Sequence, residues 1–374
     1  RGFFTTSYVR NGLQDFKANS IEVANIERIE VLKGPSATLF GSSLTSFGGL
    51  LNRVTKKPFE TFRGEVSYTG GGFGLSRITL DVNTPLNKDK GLFLRTNAAY
   101  DEEGSFQDAG FTRRFFFAPS LLYKANDRLT ILLDAEVYAQ KANDFNRLFP
   151  EASFTKTNPR DLSVDWTSSY SNNDLYETTP SVSLFGQARY KISDHWTSQT
   201  AFSQTNSSAE GYWSWNSIMG DTAVSRNPGY EHFIDRYTEV QQNFTGDFNI
   251  GGMRNRIVLG LDYFTNTTNS SSGSIYGFDQ VTIQGKDPRY NELTRASLDA
   301  ALSAIPYAKS TASQNTYSAY VSDVLNITDN LLAMASIRVD HFVNNGNKNI
   351  NQDTTTGKYN QTAFSPKLGL VYQL

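Results

Sequence analysis

From about residue 62 onward, apolar and polar side chains alternate along the chain in runs of about nine residues or more, and this constrains the fold more than any other feature. A period of two puts successive side chains on opposite faces of an extended strand, so each run is a ribbon with one apolar and one polar side. Phe62, Val66 and Tyr68 alternate with Arg63, Glu65, Ser67 and Thr69; Ile78, Leu80 and Val82 alternate with Arg77, Thr79 and Asp81. Later, Leu129, Ile131, Leu133, Ala135 and Val137 oppose Thr130, Asp134 and Glu136, while Ala333, Ala335, Ile337 and Val339 oppose Ser336, Arg338 and Asp340. About a dozen such runs occur, near 62–70, 75–83, 91–101, 112–124, 129–140, 180–191, 196–213, 236–249, 255–266, 314–326, 330–343 and 362–374.

The links between runs alternate in length. Thr84 to Lys90, Ala125 to Arg128, Ser193 to His195, Ile250 to Arg254 and Thr328 to Asn330 are short. Asp101 to Phe111, Lys141 to Thr179, Ser214 to Asp235, Thr267 to Ser313 and Asn344 to Gln361 are long, and only the first upper link, Gly70 to Gly74, is brief. In an up-and-down antiparallel sheet alternate links lie at opposite ends, so one rim carries tight turns and the other long loops, as in outer-membrane barrels.

Which face is wet follows from length and charge. A soluble sandwich shows the same period with its apolar face inward, but its strands usually run to about 5–6 residues, whereas a tilted membrane strand needs about 9–11. The polar faces carry Arg77, Arg95, Arg189, Arg256, Arg338, Asp81, Asp134 and Glu136, a set suited to an aqueous lumen. Tyr100, Tyr123, Tyr190, Tyr263 and Tyr372 sit toward run ends in the apolar register, where an interfacial girdle belongs. Composition agrees. Hydrophobic residues make up 38% and mean hydropathy is -0.44, with no stretch apolar enough for a spanning helix. Lys+Arg 35 against Asp+Glu 37 leaves no basic field for nucleic acid. With Cys 0 and His 3, at positions 195, 232 and 341, thiol chemistry and a histidine-clustered metal site are excluded.

Residues 1–61 break the pattern. Ile26–Lys33 reads as a short strand with alternating charges, stopped by Gly34-Pro35; Ser36 to Gly41 suits one helical turn; Gly48–Thr55 is a second short strand closed by Lys56-Lys57-Pro58. Ile26–Pro35, Leu39-Phe40-Gly41, Gly48–Asn52 and Val54–Pro58 together closely resemble the second half of the plug domain of TonB-dependent outer-membrane receptors. Arg1-Gly2-Phe3 and Tyr8–Leu13 are similar to that family's preceding plug segments, and Ala363–Tyr372 to a mid-barrel strand of its ferric-siderophore, hydroxamate-like branch. Leu44–Phe47 depart from the family, which usually has a proline there.

The resemblance implies a membrane β-barrel of about 22 antiparallel strands filled by an α+β plug. Residues 1–61 then form the C-terminal half of the plug and 62–374 the first part of the barrel, about twelve strands, so the chain reads as a fragment. An open sheet with two unpaired edges in hydrocarbon would leave costly orphan groups. It further implies active import of a ferric siderophore across the bacterial outer membrane, energised by the TonB–ExbB–ExbD complex, with outer-membrane lipid as surroundings and no resident cofactor, since iron arrives inside its chelate. Other cargo, such as a cobalamin or a glycan, or a passive porin-like or adhesin barrel, are the alternatives.

Nothing in the sequence reads as catalytic. Gly34–Ser42 lacks the lysine of a phosphate loop, Gly70–Gly74 suits a hairpin better than a dinucleotide site, and the histidines lie on separate runs. A chelate that satisfies Fe(III) with its own oxygens needs rings, hydroxyls and a cation from its receptor. Tyr212, Trp213 and Trp215 before the fourth long loop and Tyr276 and Phe278 in the fifth are candidates, though such rings equally brace loop against loop. By resemblance, Arg1, Phe3 and Phe16 stand at the plug apex. Glu27, Arg28, Glu30 and Lys33 form a candidate plug–barrel latch, Arg28 and Glu30 through the family's Glu-Arg-x-Glu stretch. Asn291 to Ile305 reads as a short amphipathic helix stiffening the fifth loop.

Overall fold

A computed structural model of the chain describes residues 6–15, 21–32, 50–143, 148–153, 155, 158–283 and 287–372. Two sheets form. The smaller contains β1 (Thr6–Arg10), β2 (Leu13–Gln14), β3 (Ile26–Leu32) and β4 (Leu50–Thr55) in the order β2-β1-β4-β3, with β1 and β4 parallel. Both strands expected in this region are present; Ser36 to Gly41 and Leu44–Phe47 lie outside the described residues.

The larger sheet begins at Arg63. Its strands are β5 (Arg63–Gly70), β6 (Ser76–Asn87), β7 (Leu92–Gly104), β8 (Phe111–Lys124), β9 (Leu129–Asn143), β10 (Leu148–Pro150), β11 (Glu177–Thr178), β12 (Ser181–Lys191), β13 (Trp196–Met219), β14 (Ala223–Ile250), β15 (Met253–Ser274), β16 (Asp279–Thr282), β17 (Ala308–Asn326), β18 (Leu331–Asn349), β19 (Thr354–Thr356) and β20 (Tyr359–Tyr372). Four of these are short patches of four residues or fewer; the other twelve are long and pair antiparallel with their neighbours from β5 round to β20.

Burial is inverted relative to a soluble protein. Val66 is 67% exposed, Leu133 52% and Leu261 61%, whereas Asp101 is 0%, Glu136 3% and Arg338 2%. The ionic side of the ribbons faces the small sheet, and the apolar side faces out. Tyr68, Ile78, Tyr100 and Phe115 form one exposed cross-strand row near the long-loop rim, and Tyr123, Tyr190 and Tyr372 are exposed near the tight-turn rim. From Leu92 to Tyr100, eight steps of about 3.3 Å tilted by about 40° climb about 20 Å, close to the height of a barrel's apolar band.

The upper links differ from expectation. Ser214 to Asp235 is not a loop: β13 and β14 stay paired up to Met219↔Ala223 and turn at residues 220–222. The fifth and sixth links are likewise shortened, because β15 runs to Ser274, β17 starts at Ala308 and β18 runs to Asn349. These extensions stand above the apolar band, out of reach of lipid, so their sequence loses the apolar–polar contrast while the backbone ladder continues. The expected helix is real but shorter: α1 spans Arg295–Leu302, after a 3-10 turn at Pro288–Glu292. Its start is fixed by a capping box, in which Ser297 N donates to Thr294 Oγ1 at 3.2 Å and Thr294 N donates to Ser297 Oγ at 2.9 Å.

Candidate functional site

The small sheet sits on the inner face of the wall through polar contacts. A turn at Asn11-Gly12, both with positive φ, reverses the chain between β1 and β2 and puts Arg10 and Leu13, cross-strand partners, on the side that meets the wall. Arg10 Nε lies 3.1 Å from Glu136 and its Nη2 3.8 Å from Asp134, with all three side chains 3% exposed. Glu136 also accepts from Asn25 Nδ2 at 2.7 Å, and Asp134 from Ser120 Oγ at 2.5 Å. Gln14 N donates to Glu239 Oε2 at 2.6 Å. Arg53 pairs with Asp15, which accepts from Thr205 Oγ1 at 2.9 Å.

Three further ion pairs flank this seat. Arg77 bridges Glu22 at 2.6 Å and Asp101 at 2.7 Å, and Lys56 reaches Asp81 at 2.9 Å. Apolar contacts accompany them, Leu13 against Leu132, Phe185 and Ala201, and Ala24 against Ala99, Phe116, Ala118 and Tyr138. Beyond the small sheet the wall holds Arg338 between Asp262 at 2.8 Å and Asp340 at 2.7 Å, under the ring of Tyr320. That ring lies where a side chain at Gly260 would be, 2.1 Å from an ideal Cβ, so only glycine admits it.

Interfaces of this kind specify position more than they stabilise. Desolvation offsets most of the Coulombic gain of a buried pair, yet removing one partner strands a charge at a cost of about 3–5 kcal/mol. Because water can replace the polar contacts, the seat can come apart into an aqueous lumen with only small apolar contacts, such as that of Leu13, newly exposed.

Above the band, parity divides the candidate rings. In β13 the odd residues Ser203 and Thr205 face the plug, Ser203 Oγ donating to Gln14 O at 3.5 Å and Thr205 Oγ1 to Asp15. By the same count Trp213 and Trp215 face the mouth, and Tyr212 faces away. Trp215 is stacked on Phe149 at 4.0 Å and half-exposed, and Trp213 lies over Gly229. Glu177 and Glu231 share a row with Gly211 between them, and burial pushes the Glu231 carboxyl up against the opposing effect of its hydrogen bond to Glu177.

Tyr212 is buried beneath α1 with Leu298 and Leu302, and Phe278 packs on the same cluster. Its hydroxyl donates to Asp299 Oδ1 at 2.7 Å; burial first, and then this bond, push it up to about 12. Tyr212 thus braces loop against loop and does not face the mouth. Tyr276, in the link after β15, is 84% exposed. Arg1, Phe3, Phe16 and Lys33 lie outside the described residues. Glu27 and Arg28 are exposed on β3; Arg28 Nη2 donates to Glu30 at 2.6 Å, and Glu30 also accepts from Asn52 Nδ2 at 2.8 Å. The Asn52 bond, then Arg28, hold the Glu30 carboxyl below the usual carboxylate range. Among the described residues these partners are all within the plug, and the contacts to the wall include those of Arg10, Leu13, Gln14, Asp15, Glu22, Asn25 and Lys56, which the charge pattern alone did not single out.

Comparison with known proteins matches two family models, the TonB-dependent Receptor Plug Domain over residues 1–49 and the TonB dependent receptor-like, beta-barrel over 199–374. The metal-pseudopaline receptor CntO of Pseudomonas aeruginosa is 25% identical over 380 aligned positions, covering 95% of this chain and 49% of its own length. The ferripyoverdine receptor of the same organism is 25% identical over 302 positions, 75% of this chain and 36% of its own. Among solved structures, the ferric preacinetobactin receptor BauA of Acinetobacter baumannii superposes with a TM-score of 0.81 at 18% identity, covering 99% of this chain and 54% of that one. This chain spans about half the length of the curated relatives it matches.

Proposed function

The chain belongs to the TonB-dependent receptors of the Gram-negative outer membrane, and from that premise we propose that it contributes plug and wall to an importer of metal chelates, ferric siderophores first among them. The observation carrying this reading is the ionic seat: a stopper held in the lumen by Arg10, Gln14, Glu22 and Lys56 against Glu136, Glu239, Arg77 and Asp81. A passive pore has no use for such a stopper, and an importer needs one that can be displaced without melting the wall. The TonB complex is proposed as the source of the displacing force.

For cargo, the relatives are named as receptors for metal-pseudopaline, ferripyoverdine and ferrioxamine, which supports a chelate over a cobalamin or glycan. The hydroxamate class is the first to test, on the Arg1-Gly2-Phe3 resemblance. The protein then holds no iron of its own; Trp213 and Trp215 at the mouth and the apex residues grip the organic shell. The test is uptake of radioactive iron from ferrioxamine by a strain that makes no siderophore and carries the full-length gene as its only chelate receptor. Saturable uptake that disappears when TonB is deleted is expected. TonB-independent leakage of small solutes would overturn the reading in favour of a passive barrel.

A further inference from the structure

We propose that the extracellular loops carry a second, peripheral binding site: a cavity on the outer face of β13 that takes a small neutral molecule, aromatic or branched, presenting one carbonyl oxygen to Asn216. The cavity measures about 380 Å3 and is walled mainly by Leu148, Leu162, Val164, Trp166, Tyr170 and Ile218. Asn216 and Ile218 are even-numbered, on the face of β13 opposite the plug-facing Ser203 and Thr205, so the cavity lies off the central path. It therefore goes beyond the import reading and does not depend on it.

The polar groups define the ligand. Asn216 is 0% exposed; its Oδ1 accepts from Ser214 Oγ at 2.7 Å, and its Nδ2 has no hydrogen-bond partner among the described residues. A buried amide N–H left unpaired is costly, and a bound acceptor would satisfy it. Nearby polar groups are already engaged: Gln107 Nε2 donates to Ser168 O at 3.1 Å, and Asp165 accepts from Thr167 Oγ1 at 2.6 Å and Ser168 Oγ at 3.1 Å. Among the described residues no lysine or arginine lines the cavity while Asp165 does, so an anionic ligand would meet a like charge there. Tyr170 holds a left-handed φ of 55°, unusual outside glycine, and spends its own polar atoms elsewhere: its N–H donates to Tyr290 Oη at 2.7 Å and its hydroxyl to Ile283 O at 3.3 Å. Its ring is thereby fixed as an apolar wall.

Benzophenone, a neutral diaryl ketone small enough for this volume, is the probe. On irradiation its carbonyl takes hydrogen from a neighbouring C–H and the two carbon radicals couple, leaving an adduct that peptide mapping locates. With the full-length receptor in nanodiscs, saturable adducts on Leu148, Leu162, Val164 and Ile218 are expected. Asn216→Leu should raise the half-saturating concentration about tenfold, and Leu162→Trp should remove cavity adducts while siderophore uptake is unchanged. Adducts confined to lipid-facing positions such as Leu259 and Leu261, or cavity labelling identical in both variants and wild type, would overturn the proposal. If a variant fails to reach the membrane, the wild-type map decides alone. Loss of iron uptake with cavity labelling intact would sink the import reading and leave this site standing.

Discussion

Arg10→Ala tests how the plug is seated. Arg10 is the cation between Glu136 at 3.1 Å and Asp134 at 3.8 Å, with every side chain 3% exposed. Truncating it leaves two buried carboxylates facing a cavity, and breaking such a pair costs about 3–5 kcal/mol. Asn25 and Ser120 still donate to Glu136 and Asp134, and one carboxyl can neutralise itself by taking a proton, so the lower end of that range applies. About 3 kcal/mol corresponds to roughly a hundredfold rise in plug opening. Hydrogen exchange of the full-length receptor in nanodiscs reads this directly. Peptides covering Thr6–Gln14 and Leu50–Thr55 should lose about a hundredfold protection, while β12 and β13 in the wall keep theirs. Adding Glu136→Gln should restore part of the loss, since it removes one stranded charge. Unchanged plug protection, or an equal loss throughout the wall, would refute the assignment of Arg10 as the seat's central cation.

Four other outcomes follow from the same geometry. Arg28→Ala removes only an exposed pair with Glu30, so plug exchange should change by less than about 1 kcal/mol; a larger effect would support the latch that the family resemblance assigns to it. Leu259→Arg, midway along the outward face of β15 between Met253 and Tyr263, should cost about 2–4 kcal/mol on refolding into vesicles, and a neutral result would place that face in water. Gly260→Ala should displace the Tyr320 ring and cost about 1–3 kcal/mol, visible as a lowered midpoint in urea unfolding. The Tyr212 hydroxyl, raised to about 12 from 10.0, contributes stability that is complete below pH 10 and lost as pH rises through 12. Protease nicking of the loops around α1 should therefore begin in that window in wild type, and Tyr212→Phe should remove the step.

What the amino-acid order disclosed, and what it hid, follows physical lines. The wall was legible wherever lipid faces one side, because Leu133 and Asp134 then need opposite chemistry. It faded above the band, where Thr265–Ser274 is polar on both faces although β15 continues through it. Parity would have rescued part of the site: counting from Thr205 separates Trp213 and Trp215 from Tyr212. The seat could not be read, because Gln14 and Glu239, or Arg10 and Glu136, meet only after the small sheet packs against the wall. The Glu-Arg-x-Glu stretch drew attention by its local charge density, and that proximity is why Arg28 finds Glu30 first.

The two-residue repeat of the wall also fixes how such a gene can drift. Substitution within a strand is tolerated if its chemistry suits the side it lands on, but losing or gaining a single codon there would swap bilayer-facing and lumen-facing residues along the rest of that strand. Length changes are thus confined to even steps or to the loops, while spelling is nearly free. Two chains can consequently share one architecture, a TM-score of 0.81, with only 18% of positions identical.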